Sequence, residues 1–384
     1  MTRPRVLHVI TALGVCGSER MLLKLLGASA LSGWEQSVVA MLPGGPMAAP
    51  MRETGAQVHE LNFLGGVPLL AGASALARLA RQCRPDLVQG WLYHGNLGAM
   101  LALAALPQRV PLVWGIRQSL ATLEGENTFA RIGIALNRVG SGRPDRLLFN
   151  SQTGLAQHRD FGFDMARADY VPNGFETSSF APDAQARATL RSAWGVDDEA
   201  VLFGLLARYH PVKDHAGFLE AARRVRDARP ATRFVLAGTG VDAGNEALMR
   251  AVQDAGLGDH VHLLGERGDV AQVLAALDVF VSSSAGEAFS NSVGEAMCCA
   301  LPCVVTDVGD SSSIVGDTGK AVPPRDPAAL AAAMIAMVDL GPAQRAALGA
   351  RARQRITTHF DIEAVAARYA ALYSSLVHAA EGAR

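Results

Sequence analysis

The stretch Glu287-Ala288-Phe289-Ser290-Asn291-Ser292-Val293-Gly294-Glu295-Ala296-Met297 sets two carboxylates eight positions apart, just ahead of Ala-Leu-Pro-Cys-Val-Val-Thr-Asp at 300–307. Before it come a strand-like run, Leu277–Val281, and a small polar loop, Ser282 to Gly286. Glu287 therefore falls at the carboxyl end of a strand, where open α/β sheets bind ligands. A helix is expected to start near Ser290–Asn291. Its first amides, at Asn291, Ser292 and Val293, would suit phosphate oxygens. Glu295 lies about one turn further on, within reach of a ribose diol. A sugar, a diphosphate and a nucleoside could lie in that order along one loop and helix.

Outward from this stretch, short β-branched runs alternate with amphipathic helices, the pattern of doubly wound α/β domains. In the first half, strands are expected at Arg5–Ile10, Gln36–Met41, Gln57–Leu61, Asp86–Trp91, Pro111–Gly115, Arg146–Asn150 and Asp169–Val171. Helices are expected between them, among them Ser18–Leu31, Ala73–Cys83 and Asn96–Ala105. The pattern restarts with strands at Val201–Leu206, Arg233–Ala237, Val261–Leu264, Val279–Val281 and Cys303–Thr306. Its helices are His215–Asp227, Glu246–Ala255, Val270–Leu277 and Asn291–Cys299. Between the halves, Val171-Pro172-Asn173-Gly174-Phe175-Glu176 reads as a linker turn. Two domains are thus expected, 1–172 and 173–359, with a final helix from 360 to 384.

Composition narrows the partners. A net charge of −1 over 384 residues provides no basic field for nucleic acid. Charged residues are only 18%, which leaves room for one apolar or membrane-facing side. Five cysteines, an odd number with no CxxC pair, fit a reducing cytoplasm. The apolar run at the start is too short for a signal peptide and reads as a buried strand. Leu97 to Leu106 is about half a membrane span and ends at Pro107, so no transmembrane helix is expected.

Two further loops carry chemistry-bearing residues. Arg208 and Lys213 stand five apart in Ala207–Asp214, directly after the first strand of the second half. Fixed cations there would stabilise the charge of a departing diphosphate. The alternative is two surface cations flanking a proline turn. No Asp-x-Asp with suitable neighbours occurs, so no metal site is implied. Leu13-Gly14-Val15-Cys16-Gly17-Ser18-Glu19-Arg20 follows the first strand, and its glycines let backbone approach a ligand, with Ser18 able to cap the next helix. The Gly14-x-x-Gly17 spacing lacks the dinucleotide fingerprint, which argues against a dehydrogenase.

Taken together, Glu287 and Glu295, Phe289, the Glu295-Ala296-Met297 triplet and Leu301-Pro302 resemble the E-x7-E signature of retaining GT-B glycosyltransferases of family 4, the group 1 glycosyl transferases. The Pro172-Asn173-Gly174 segment resembles that family's interdomain motif, with Glu176 in place of Asp. The resemblance implies an α/β protein with two Rossmann-like doubly wound domains facing across a cleft. The first would take the acceptor and carry the last helix against it; the second would take a UDP- or GDP-sugar. It also implies that Glu287 contacts the donor sugar, Glu295 holds the ribose, and Arg208 and Lys213 clamp the diphosphate in place of a metal. His94 resembles the family histidine beside the anomeric centre; the alternative is a helix-start histidine packed on a loop. Gly17 implies a phosphate or acceptor contact, with Cys16 where the family has a second glycine. Gly238 resembles the strand-end glycine lining the nucleotide pocket, and Glu266 and Arg267 the segment that contacts the base. Arg117 stands where relatives carry histidine, and reads equally as an acceptor contact or a salt-bridged rim residue.

The expected reaction is transfer of a sugar, with configuration retained, to an acceptor hydroxyl on a lipid-linked or polysaccharide acceptor. No cofactor beyond the donor is expected. The expected place is the cytoplasm, at the inner membrane surface, with Arg78, Arg81 and Arg84 beside apolar Phe63-Leu64 and Val67-Pro68-Leu69-Leu70. An ordinary solvated helix explains those arginines equally well. Two rivals remain: a nucleotide-sugar epimerase of the same architecture, and a non-catalytic protein that binds sugar nucleotides.

Overall fold

Buried on both faces by flanking helices, parallel strands become near-continuous apolar runs, and the central strands of this chain have that character. The computed structural model describes residues 3–63, 69–121 and 127–382. Its contacts divide the chain into two units. One comprises the residues up to Gly174 together with the chain from Ile362 on, and the other is Phe175–Asp361.

The strands of the first unit are β1 (Arg5–Ile10), β2 (Glu35–Ala40), β3 (Gln57–Glu60), β4 (Leu87–Trp91), β5 (Leu112–Ile116), β6 (Arg146–Phe149) and β7 (Ala168–Tyr170). Its helices are α1 (Gly17–Gly27), α2 (Ala48–Glu53), α3 (Leu69–Cys83), α4 (Leu92–Ala104), α5 (Thr128–Gly140) and α6 (Gln152–Asp160). The second unit holds β8 (Leu202–Leu206), β9 (Arg233–Ala237), β10 (Val261–Leu263), β11 (Val279–Ser282), β12 (Cys303–Thr306) and β13 (Gly319–Val322). Its helices are α7 (Ala184–Ala193), α8 (His215–Ala228), α9 (Glu246–Asp254), α10 (Val270–Ala276), α11 (Asn291–Cys298), α12 (Ser311–Val315), α13 (Pro327–Asp339) and α14 (Gly341–His359). Helix α15 (Ile362–Gly382) returns the chain to the first unit.

Both sheets are parallel and doubly wound. The first runs β3-β2-β1-β4-β5-β6-β7 and the second β10-β9-β8-β11-β12-β13. In each, the chain winds outward from a central strand, then crosses back to its other side. The reversal lies between β1 and β4 in the first unit and between β8 and β11 in the second. Open α/β sheets bind ligands at such points, outside the carboxyl ends of the strands.

Polar anchors fix these layers. In the second unit, Asp278 at the entry to β11 accepts from Arg187 (2.7 Å), from Arg191 (3.0 Å) and from the Leu202 amide (2.8 Å). Arg191 is 1% exposed, and its other donors reach the Ala276, Asp197 and Ala200 carbonyls. Through its two terminal nitrogens this buried charge binds α7 to two strands. In the first unit, Tyr373 of α15 donates to the buried Gln89 on β4, and Trp34 packs edge-on against its ring. Glu363 accepts from the Ser29 hydroxyl (2.6 Å) and amide (3.1 Å).

Three local expectations change. Strand β13, Gly-Lys-Ala-Val, has only Val322 buried, so it carries no apolar run to read. Helix α4 starts at Leu92, not Asn96, because Leu92 takes a left-handed φ of 61° and turns the chain from strand into helix in one residue. Ser18 does not cap α1. Cys16 is the N-cap, and Ser18 lies inside the helix, donating to Glu19.

Candidate active site

In the second unit, the loops that follow β8 and β11 lie side by side because those strands are neighbours. The Ala285 amide donates to the Val212 carbonyl at 2.7 Å. The Ser283 hydroxyl donates to the carbonyls of Lys213 (2.8 Å) and Asp214 (3.2 Å). This pairing brings Lys213 and Glu287, far apart in sequence, into an ion pair through Nζ and Oε1. The Ser284 hydroxyl donates to the same Oε1 at 2.8 Å. Both ends are partly shielded, with side-chain exposures of 22% and 13%. Asp214 then caps α8 from a left-handed φ of 48°, accepting from the Gly217 amide, which ends the Lys213 loop sharply. Arg208, on the same loop, is exposed and makes no hydrogen bond or ion pair among the described residues. One cation is thus held by a carboxylate and one projects with its donors unspent.

Helix α11 follows directly. Asn291 and Ser292 are half-buried, Val293 is buried, and Ser290 makes no side-chain cap bond to the first-turn amides. Asp326 ahead of α13, by contrast, accepts from the amides of Ala328 and Ala329. An N-terminus without a side-chain cap retains its attraction for an anion. Glu295 is 6% exposed, more enclosed than an open ribose contact suggests. The helix is set in place by Phe175, from within the expected linker turn. A Cβ on Gly294 would lie 2.0 Å from its ring, so only glycine admits this contact. Phe175 also stacks on Phe289, which meets Phe360, and its amide donates to the Phe360 carbonyl at 2.8 Å.

Around the same end of the sheet, Gly238 closes β9 with a φ of 146°, and its missing Cβ lets the Ala207 carbonyl approach. Glu266 is exposed and accepts from the Thr239 hydroxyl at 3.1 Å. The Arg267 guanidinium is committed to Asp269 through two bonds of 2.7 and 2.6 Å. That partner holds the Asp269 carboxyl below its usual range. Two of the five Arg267 N–H donors are thereby engaged. His215, at the start of α8, is buried, which pushes its pKa down to about 4.

The remaining expected site residues belong to the first unit. Gly17 opens α1 and is exposed. Beside it Glu19 is 6% exposed, and burial raises its pKa. His94 lies within the first turn of α4, its ring stacked on Phe129 at 4.4 Å and 8° and set beside Gly133 of α5. Burial lowers its pKa, partly offset by a bond to the Phe129 backbone. Arg117, after β5, is not part of a salt bridge among the described residues. Its guanidinium lies 4.8 Å from the Trp91 ring and donates to Tyr369 at 3.4 Å. No group of three or more His, Cys, Asp or Glu among the described residues could hold a metal ion.

Ser283, Ser284, Thr306 and Phe175 all shape this site and were not singled out as site residues from the sequence. The three-serine run Ser282–Ser284 before Glu287 is the signal that could have found the first two.

Known proteins resemble this chain in sequence and fold. The family model described as "Glycosyl transferases group 1" matches residues 200–339, and "Glycosyl transferase 4-like domain" matches 17–174. The lipopolysaccharide core biosynthesis mannosyltransferase LpsB of Rhizobium meliloti is 31% identical over 219 residues, 54% of this chain and 62% of LpsB. A GDP-mannose-dependent alpha-(1-6)-phosphatidylinositol monomannoside mannosyltransferase of Mycolicibacterium smegmatis is 29% identical over 300 residues, 74% of this chain and 76% of that protein. Six other matched relatives align over only 36% to 53% of their length. The crystal structure of Anabaena HepE with UDP and glucose superposes with a TM-score of 0.84 at 19% identity, covering 97% of this chain and all of that one. The two models together span most of the chain, one on each unit, and the chain belongs to the group 1 glycosyl transferases of the family 4 type, on the GT-B fold.

Proposed function

We propose that this protein is a retaining glycosyltransferase that moves a sugar from a UDP- or GDP-sugar to an acceptor hydroxyl without a metal ion. The observation that carries the reading is the Lys213–Glu287 pair at the reversal point of the second sheet, with Arg208 projecting from the same loop. Donor binding would let the Lys213 ammonium and the Arg208 guanidinium take the diphosphate, while Glu287 accepts from a sugar hydroxyl. The bond between the anomeric carbon and the diphosphate oxygen breaks, and its electron pair leaves with the nucleoside diphosphate. The acceptor oxygen attacks from the same face, and its proton passes to the departing phosphate oxygen. Charge develops on that phosphate, where preorganised cations act most strongly. Glu295 and the amides at Asn291, Ser292 and Val293 would hold the ribose and phosphates, with Gly238, Glu266 and the Arg267 backbone at the base. In the first unit, His94, Gly17 and Arg117 would serve the sugar and the acceptor.

The acceptor we propose is lipid-linked or a growing surface glycan, met in the cytoplasm at the membrane surface. The names of LpsB and of the phosphatidylinositol mannoside enzyme support it. Helix α3 was the expected contact, but Leu76 and Ala80 turn inward there, and residues 64–68 lie outside the described residues. Helix α5 fits better. Phe129, Ile132, Leu136 and Val139 are exposed by 51%, 53%, 51% and 81% at helical spacing. Arg131, Arg138 and Arg143 accompany them, with no acidic residue from 127 to 144. Among the described residues no single helix is long and apolar enough to cross a membrane.

Thermal stabilisation by a panel of UDP- and GDP-sugars tests the donor reading. A ligand at a hundred times its dissociation constant adds about 2.7 kcal/mol. Stabilisation by none of them, with no hydrolysis of any donor, would refute it. Stabilisation without turnover would favour a binding protein, and an isomerised sugar nucleotide an epimerase.

A further inference from the structure

Glu287 and Lys213 are held by two adjacent hydroxyls that the proposed reaction does not yet use. We propose that Ser283 and Ser284 are positioning residues for the donor site: Ser284 sets the carboxylate of Glu287, and Ser283 sets the backbone that carries Lys213. This rests on the glycosyltransferase reading.

The hydrogen bonds carry the argument. Ser283 and Ser284 are 1% and 2% exposed, so neither hydroxyl exchanges its partner for water. The single Ser284 proton goes to Glu287 Oε1, the oxygen that also takes the Lys213 ammonium. Both donors therefore load one oxygen. Oε2 is left as an acceptor with no partner among the described residues, available to a sugar hydroxyl. A diphosphate that draws the ammonium away removes one of the two bonds on Oε1. Ser284 is the one that remains, keeping the carboxylate oriented while the sugar reacts. Its own backbone is fixed in turn, because its carbonyl accepts from the buried Thr306 hydroxyl of β12 at 2.6 Å. Ser283 acts on the other partner. It bonds the carbonyls of Lys213 and Asp214, on either side of the sharp turn into α8. Consecutive residues at the end of one strand thus set the carboxylate and the cation separately, and the two substitutions should have separable effects.

The test uses the full chain and Ser284→Ala, Ser284→Thr and Ser283→Ala, with UDP and GDP as binding probes. Turnover is followed with whichever of UDP-glucose, UDP-galactose and GDP-mannose the wild type consumes fastest. Ser284→Ala should lower kcat about ten- to a hundredfold, the scale of a hydrogen bond to a charged group. Its nucleoside diphosphate affinity should stay within about twofold, and Ser284→Thr should recover most of the loss. Ser283→Ala should instead raise the diphosphate Kd and the donor KM about fivefold, with a smaller change in kcat. If Ser284→Ala folds poorly, Ser284→Thr against Ser284→Val isolates the hydroxyl at nearly equal volume. Wild-type turnover in Ser284→Ala, equal impairment of the Thr and Val variants, or the same kinetic signature in both serine variants would overturn the proposal alone. A wild type that binds neither diphosphate and consumes no donor would overturn the glycosyltransferase reading with it.

Discussion

The two units share one plan and use it differently. Each sheet winds outward from a central strand and reverses beside it, with Gly17 and His94 after the reversal strands of the first and Arg208, Lys213 and Glu287 after those of the second. In the second unit those residues keep bonding capacity in reserve. Arg208 projects, Lys213 spends part of its charge on Glu287, and Ser290 leaves the first-turn amides of α11 without a side-chain cap. In the first unit the counterparts pack against neighbours. His94 stacks on Phe129, Arg117 on Trp91, and Glu19 is buried with Ser18. The lesson is that the fold supplies the position, and the side chains decide whether it stays open to a charged ligand.

If the second unit carries the reacting charge, its cations should dominate the kinetics. Arg208→Ala and Lys213→Ala should each lower turnover at saturating donor by about a hundredfold or more, the cost of losing one transition-state donor. A chelator should leave activity intact. Near-normal turnover in both variants would break the contrast between the units.

Acid should sharpen it from the stability side. Burial lowers the pKa of His8 and His158, both in the first unit, to about 4, as it does for His215 in the second. A histidine with a depressed folded pKa binds fewer protons than the unfolded chain between its folded value and about 6.5. Stability is therefore full above about 6.5 and falls as pH drops toward 4, where the loss levels off. With two such histidines against one, the first unit should lose on the order of 2 kcal/mol more than the second. Hydrogen exchange at pH 7 and pH 4.5 reads this directly, and earlier loss of protection in the second unit would contradict it.

Within the second unit, the two glutamates should separate. Glu295→Ala is expected to weaken nucleoside diphosphate binding about tenfold, and Glu287→Ala to lower turnover with binding largely kept. Calorimetric titration with UDP and GDP decides this, and the reverse pattern would exchange the two roles. The smallest effect is expected at the first unit's surface. Sedimentation with anionic vesicles should fall a fewfold when Phe129 and Ile132 become serine, and less when Arg78 and Arg81 are replaced. Equal, negligible binding to anionic and neutral vesicles would remove the membrane-surface proposal.

Much of the fold was readable because its signals are local. Every strand expected from an apolar run is present, with ends shifted by a residue or so, since burial on both faces writes itself into consecutive residues. Strand β13 escaped because a lysine and two further non-buried residues break the run. The start of α4 escaped because a left-handed Leu92 has no compositional mark. At the site, residue types at strand ends pointed to Glu287, Lys213 and Arg208. The Arg267–Asp269 pair and the stacking of Arg117 on Trp91 could not be read, because side-chain partners depend on directions that spacing leaves undetermined.

The sequence by itself determined the element types, the alternation that makes two doubly wound sheets, and which chemistry follows each strand. Those follow from short-range causes: hydrophobic period, turn residues and strand length. Only the tertiary structure decided that β8 and β11 are neighbours, that Lys213 meets Glu287, and that Ser284 gives its proton to the same oxygen. The order of parallel strands is set by crossovers through whole helices and by the packing of cores distant in sequence. A contact across that order has no local signature, so it exists only once the sheet is assembled.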